Sequence, residues 1–293
     1  MGFASCHPAI NFLYFACVIA VALSVPHPVF LGIGLVCAYA YSIKLTRWRG
    51  GIFGAAMIPF VALFAAYYTS SHHFGVTVLY RNFIENNMTL EAALYAVVLG
   101  GMAATAMIWF SCVHAIFTAD KVVYLFGKVS PRLSLFLAIL LRMVPRIKAQ
   151  AKKINTARQG IGRGIGQGNL LHRLRNALGL LSILITWFIE TMAGISESMR
   201  SRGSALRGRT AYSIYRFDNR DRAYVIGVFA CMTLLVMGLL LQQGNISYDP
   251  VIRMNPITPL SWLFYGGYAA FCLMPLILDT VTEMKFRRAR SGL

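Results

Sequence analysis

Acidic residues are scarce in this chain, which has ten Asp and Glu residues against 28 Lys and Arg residues. Enzymes that hold magnesium and a diphosphate generally need two acidic clusters. The one short acidic pair, Asp218 and Asp221, stands among Arg216, Arg220 and Arg222, and the sequence has no second cluster. This favours local neutralisation of the pair. A membrane-embedded transferase acting on lipid phosphates is the alternative interpretation.

Paired cysteines and nucleotide-binding glycine loops are also missing. The six cysteines occur singly, which is typical of small buried hydrophobes and not of a disulfide or zinc framework. Alternate glycines over residues 160–168 match neither the P-loop nor the dinucleotide fingerprint, and they favour a flexible connector. His72 and His73 point about 100° apart on a helix and lack a neighbouring ligand. We therefore predict no metal, no cofactor and no catalytic site in this chain.

Apolar residues, by contrast, dominate: 57% of the chain is hydrophobic and 13% is charged. This composition predicts an all-α, polytopic membrane protein with about six transmembrane helices. The six predicted spans are residues 10–25, 29–43, 51–70, 90–118, 224–241 and 260–278. Pro26-His27-Pro28 makes a hairpin of the first two, and Gly100-Gly101 would let a neighbouring helix approach the fourth closely.

Basic residues are distributed unevenly over this topology. Of the 28 Lys and Arg residues, only Arg81 and Arg253 fall on one side of the membrane in the six-span arrangement. Basic residues are retained on the cytoplasmic side, so both termini are predicted to be cytoplasmic. Anionic lipid headgroups of the bilayer balance this charge, and we expect no nucleic-acid partner.

The fourth and fifth spans are separated by about a hundred residues of mixed character. Over residues 132–159 apolar side chains recur at helical spacing, and Pro145 predicts either two helices or one bent helix. From Leu171 the apolar residues alternate steps of three and four, which predicts one long amphipathic helix. Asn169 can cap its start, and Gly203 can end it.

Residues 178–195 are apolar enough to suggest another span. One extra span would place the basic C-terminal tail outside, and pairing it with residues 133–144 would place the stretch from Arg146 to Arg175 outside. We therefore expect interfacial or re-entrant helices lying on the cytoplasmic leaflet. The predicted domains are an N-terminal membrane region (1–118), a cytoplasmic coupling domain (119–222), and C-terminal membrane helices with a basic tail (223–293).

Two three-residue segments stand at the predicted ends of the two amphipathic helices. These segments are Ala157-Arg158-Gln159 and Ser201-Arg202-Gly203. Together with the opening His7-Pro8 and the order of spans, they resemble the transmembrane T component of energy-coupling factor (ECF) transporters. In that family two cytoplasmic helices each end in an X-Arg-X motif, usually close to Ala-Arg-Gly. Gln159 and Ser201 depart from that pattern.

The resemblance implies a non-catalytic subunit of an ABC-type importer in a bacterial or archaeal cell membrane. Two ATPase subunits, which bind ATP and magnesium, would each receive one motif-bearing helix end. A separate S component would bind the vitamin or metal ion and pack against the amphipathic helices. The residues expected to contact the S component are Leu181, Ile185, Phe188 and Met192.

The chemistry of arginine suits such a docking role. A guanidinium is always charged, and its planar fork makes paired hydrogen bonds to carboxylates. Gly203 would let the chain turn away and leave Arg202 exposed at the helix end. The competing interpretation is that Arg158 and Arg202 are ordinary members of a solvated basic face.

Overall fold

The computed structural model describes residues 2–72, 74–81, 87–203, 206, 215, 217–249, 251–256 and 258–291. The chain divides into two compact units. We call Met1–Thr118 with Tyr215–Leu293 the membrane unit, and Ala119–Ile214 the insertion unit. The domain boundaries drawn from the sequence stay a prediction.

The described residues are mostly helical. The helices are α1 (Pro8–Ser24), α2 (Pro28–Thr46), α3 (Trp48–Ser71), α4 (Leu90–Ile116), α5 (Ala119–Val129), α6 (Pro131–Gly160), α7 (Leu170–Ser201), α8 (Asn219–Leu240) and α9 (Pro259–Ser291). Two short antiparallel hairpins connect helices of the membrane unit. They pair β1 (Val78–Arg81) with β2 (Asn87–Thr89), and β3 (Ile246–Ser247) with β4 (Arg253–Met254).

The predicted all-α polytopic fold is confirmed, since 81% of the structure is helical and six helices of the described residues are long and apolar enough to cross a membrane. These six are α2, α3, α4, α7, α8 and α9. These six helices differ from the six predicted spans in one member. Helix α1, with 17 residues, is apolar but shorter, whereas α7 meets the criteria of length and composition.

Two His-Pro pairs start α1 and α2 in the same way. The Nδ1 atom of His7 accepts the backbone N–H of Ala9 at 3.2 Å. His27 accepts the N–H of Val29 at the same distance. In each case proline occupies the first turn, where its missing N–H costs nothing and its fixed φ suits a helix. The helices therefore begin slightly earlier than hydropathy alone indicated.

Aromatic side chains fill the core of the membrane unit. Trp109 and Tyr14 are fully buried, and their ring centroids lie 6.2 Å apart in an edge-on arrangement. The Tyr14 hydroxyl lies 3.2 Å from the carbonyl oxygen of Phe271 and 3.3 Å from that of Cys272, and it donates to this pair. A buried tyrosine needs such a partner for its polar end. This contact joins α1 to α9.

Glycines of α4 allow the close helix packing expected from the sequence. A Cβ atom built on Gly100 would lie 3.1 Å from Cδ1 of Phe64 on α3. One built on Gly101 would lie 2.8 Å from Cδ2 of Leu31 on α2. Larger residues at these positions would force the helices apart, so these glycines set the spacing of α4 from both neighbours.

Basic residues gather at one end of the membrane unit. Lys44 and Arg47, where α2 ends, line a groove together with Arg287 of α9. Lys44 also forms an ion pair with Glu283 at 2.6 Å. At the opposite end of α2, the hydroxyl of Tyr248 donates to the carbonyl of Pro26 at 2.8 Å and fixes the chain that follows β3. Basic residues from the end of α2 and from α9 thus lie together at one end of the membrane unit.

The insertion unit departs from expectation in its details. Helix α5 was not predicted, and it packs against α6. Helix α6 continues through Pro145 as a single element. Asn169 occupies the N-cap position of α7, but its side chain makes no capping hydrogen bond. In the membrane unit, α9 extends to Ser291, so the predicted basic tail continues the last helix.

Candidate functional site: the ends of helices α6 and α7

The first motif lies in the last turn of α6. Ala157 and Gln159 are exposed, whereas Arg158 is partly buried. The Nε atom of Arg158 donates to the carbonyl oxygen of Arg163 at 3.3 Å. A Cβ atom built on Gly179 of α7 would lie 3.0 Å from both Nη1 and Nη2 of Arg158. The guanidinium therefore folds back against α7, and does not project from the helix end as the sequence suggested.

The glycine-rich segment after α6 is a hydrogen-bonded turn, where the sequence favoured a flexible connector. The N–H of Ile165 donates to Oδ1 of Asn155 on α6 at 3.1 Å. From the other side, Nδ2 of Asn176 on α7 donates to the carbonyl oxygen of buried Gly164 at 3.1 Å. Gly162 has φ +74°, a left-handed conformation that favours glycine. The turn thus fastens the end of α6 to the beginning of α7.

The second motif ends α7 and matches the sequence prediction more closely. Ser201 is the last helical residue, and Arg202 follows it with an exposed side chain. The N–H of Arg202 donates to the carbonyl oxygen of Ser198 at 3.3 Å. Gly203 has φ +76°, and its N–H donates to the carbonyl oxygen of Arg200 at 3.1 Å. This left-handed glycine ends the helix and leaves the Arg202 guanidinium at its tip.

The two arginines lie far apart along α7. The guanidinium of Arg158 rests at Gly179, which is 23 residues before Arg202. At a rise of 1.5 Å per residue this separation is roughly 35 Å. One small ligand cannot bridge that distance, so the two arginines do not form one small-molecule site.

Helix α7 also presents an apolar face that the described part of the chain leaves largely uncovered. Leu181 is 52% exposed and Ile185 is 51% exposed, while Phe188 and Met192 are partly buried. Leu180 is the one residue of α7 that is buried among the described residues. Apolar area of this extent usually marks contact with lipid or with another protein. The four predicted contact residues therefore lie on α7 at helical spacing, in a position to meet such a partner.

The acidic pair starts a helix. Asp218 precedes α8, and its backbone N–H lies 3.4 Å from Oδ2 of Asp221, which is 4% exposed. Burial and then the Asp221 carboxylate raise the pKa of the Cys6 thiol to about 11. Within the described residues, which do not include His73 or Arg216, no group of three or more His, Cys, Asp or Glu side chains could hold a metal ion.

Comparison with known proteins identifies relatives of one kind. The chain is 28% identical over 106 residues to the energy-coupling factor transporter transmembrane protein EcfT of Lactococcus lactis. It is 33% identical over 106 residues to EcfT of Lacticaseibacillus paracasei, and 29% identical over 110 residues to EcfT of Lactobacillus helveticus. The predicted resemblance to the ECF T component is confirmed. No family model matches the chain.

The similarity to EcfT is partial in extent. The matched segments cover 36% or 37% of this chain and between 38% and 40% of each EcfT relative. Together with the apolar helices of the described residues, they show a multi-pass membrane protein that resembles EcfT.

Sequence reasoning missed the residues that fix the first motif in place, namely Asn155, Asn176 and Gly179. One signal was available. A glycine in a helix interior costs about 1 kcal/mol relative to alanine, so Gly179 was a candidate for the close approach of another group. Gly194 of the same helix carried the same signal, and nothing lies within 4 Å of a Cβ atom built there. Which group approaches could be learned only from the folded chain.

Proposed function

We propose that this protein is the energy-coupling transmembrane subunit of an ECF-type ABC importer for a vitamin or metal ion. The observation that carries the proposal is the pair of motif arginines held roughly 35 Å apart along one helix, one in the last turn of α6 and one at the tip of α7. Similarity to three EcfT proteins supports it. Each arginine would dock on one of two ATPase subunits.

In this mechanism α7 works as a stiff lever. Its backbone hydrogen bonds make it one continuous helix of 32 residues, so a displacement at Arg202 is transmitted along its length. The apolar face with Leu181 and Ile185 would pack against the S component. ATP-driven closure of the ATPases would then move this face and tilt the S component, so that its binding site opens inward.

The proposal assigns no chemistry to this chain. ATP and magnesium would be bound by the ATPase subunits, and the transported solute by the S component. Both termini and the insertion unit would lie in the cytoplasm. The gathering of Lys44, Arg47 and Arg287 at one end of the membrane unit supports this orientation, because basic residues are retained on the cytoplasmic side.

Paired substitutions at the end of α7 test the function. Arg202→Ala should weaken capture of co-expressed ECF ATPase subunits by roughly ten- to a hundredfold, the value of one charge-assisted contact. Arg200→Ala removes the same charge two residues earlier, from another face of the helix, and should leave capture unchanged. Equal losses in both variants would show that only bulk charge matters, and the docking role of Arg202 would be withdrawn.

The double variant Arg158→Ala/Arg202→Ala extends the test to transport. It should nearly abolish ATP-dependent solute uptake in vesicles that contain the whole complex, while the amount of inserted protein stays unchanged. Arg163→Ala is the control in the turn, because its side chain is exposed and its carbonyl group is retained. Turnover of a lipid phosphate by the purified chain alone would contradict the non-catalytic assignment.

A further inference from the structure

A groove of about 600 Å³ lies between α3 and α4 of the membrane unit. On α4 its lining includes Met107, Ser111 and His114, which follow Gly100 at helical spacing and share a helix face with it. At Gly100 this face lies against α3, since a Cβ atom there would be 3.1 Å from Cδ1 of Phe64. The groove thus continues the contact between the two helices towards the start of α3 and the end of α4, where longer side chains replace glycine.

The part of the groove nearer to Gly100 is apolar. Phe53 of α3 lines it, together with Met107 and Phe110 of α4. All three side chains are exposed. These walls suit a hydrocarbon chain.

The other end of the groove is basic. It is lined by Arg49 in the first turn of α3, and by Ser111 and His114 in the last two turns of α4. Among the described residues that line the groove there is no Asp or Glu, and within the same part of the chain neither Arg49 nor His114 forms an ion pair. An occupant would therefore supply the counter-charge to Arg49, and it could accept hydrogen bonds from the Ser111 hydroxyl and a ring N–H of His114.

An exposed tryptophan indicates the depth of this basic end in the bilayer. Trp48 precedes Arg49 at the start of α3 and is 81% exposed, and tryptophan is enriched at the level of lipid headgroups. His114 and Met107 are seven residues apart on α4, which is roughly 10 Å along the helix. Half of a hydrocarbon core is about 15 Å thick. The groove can therefore contact a headgroup and the adjoining part of an acyl chain within one leaflet.

We propose that this groove binds an anionic phospholipid, with the phosphate at Arg49 and His114 and an acyl chain against Phe53 and Phe110. A free phosphate ion would leave the apolar part uncovered. An apolar helix of a partner protein would enclose Arg49 without a counter-charge, which is costly once the guanidinium is shielded from water. A zwitterionic lipid would bring its own ammonium group close to Arg49. This inference goes beyond the proposed function and does not rest on it.

Native mass spectrometry of the full chain in detergent tests the charge, with phosphatidylglycerol and phosphatidylcholine of identical acyl chains as probes. Phosphatidylglycerol should be retained preferentially. Arg49→Gln should reduce its retention by roughly fivefold, the effect of one basic residue near an anionic headgroup, and leave phosphatidylcholine unaffected. The control Arg222→Gln removes the same charge from an exposed residue of α8 that does not line the groove, and it should change neither. Equal loss in both variants, or equal retention of the two lipids by the unmodified chain, would overturn the proposal.

Blocking the groove gives a second test, in which every charge is kept. Ala115→Trp, at an exposed position in the lining, should lower phosphatidylglycerol retention, whereas Leu94→Trp, at an exposed position of α4 outside the groove, should not. A photo-reactive residue at position 110 should crosslink to phospholipid in native membranes. Unchanged retention by Ala115→Trp, crosslinking to a protein chain instead, or displacement of phosphatidylglycerol by inorganic phosphate would show that the occupant is not an anionic phospholipid.

Discussion

The guanidinium of Arg158 lies against Gly179, with both terminal nitrogens 3.0 Å from where a Cβ atom on that glycine would be. The first motif arginine is therefore held by the neighbouring helix, while Arg202 extends from a helix tip. In the isolated chain the two arginines are therefore not equivalent. This difference makes the contact between α6 and α7 a part of the proposed docking site.

Substitution of Gly179 should consequently affect docking without removing any charge. In Gly179→Leu the new side chain must displace the Arg158 guanidinium, and we expect weaker capture of ATPase subunits, by roughly tenfold. Gly194→Leu is the matched control on the same helix, since nothing lies within 4 Å of a Cβ atom there. Capture and thermal stability should both be measured. Unchanged capture by Gly179→Leu would mean that the folded-back position of Arg158 is irrelevant.

The turn between α6 and α7 should lose protection when its side-chain bonds are removed. Asn155→Ala and Asn176→Ala each delete one bond to the backbone of the turn, which should cost about 1 kcal/mol of local stability and speed cleavage at exposed Arg163 by trypsin roughly fivefold.

Asn169→Ala provides the comparison for this experiment, because the Asn169 side chain makes no capping bond to α7. Its cleavage rate should match that of the unmodified chain. If all three variants are cleaved at the same rate as the unmodified chain, the two asparagine bonds do not order the turn in solution.

Orientation in the membrane can be tested by cysteine labelling in intact cells. In a background without native cysteines, Gly166→Cys and Ser291→Cys should react with a membrane-impermeant maleimide only after lysis. Asp249→Cys, in the exposed connection between α8 and α9, should react before lysis. The reason is the retention of basic residues on the cytoplasmic side. Labelling at position 166 or 291 before lysis would contradict the predicted orientation.

Substitutions on the apolar face of α7 should affect capture of the S component but not capture of the ATPase subunits. Ile185→Lys places a charge on this face, so we expect loss of S-component capture while ATPase capture by the same chain persists. Thr186→Lys adds the same charge one position further, about 100° around the helix, and should be tolerated. Both captures can be measured in one co-purification. Loss of S-component capture in both variants would indicate that this face has no specific role.

The sequence by itself determined the fold class, the position of most helices and the end of α7. These depend on local patterns, namely apolar periodicity, proline at helix starts, and a glycine at position 203 that adopts φ +76°. The uneven distribution of basic residues likewise follows from the order of residues alone. These helices could be predicted from neighbouring residues in the sequence, without knowing which helix each one packs against.

Only the tertiary structure decided where Arg158 lies and what α3 and α4 form together. Arg158 meets Gly179 across 21 residues of sequence, and Arg49 joins His114 in one groove across 65. Such contacts depend on how helices pair, and a helical pattern indicates which face is apolar but not which neighbour covers it. The glycine-rich segment shows the same limit, since its order comes from Asn155 and Asn176, which belong to the flanking helices.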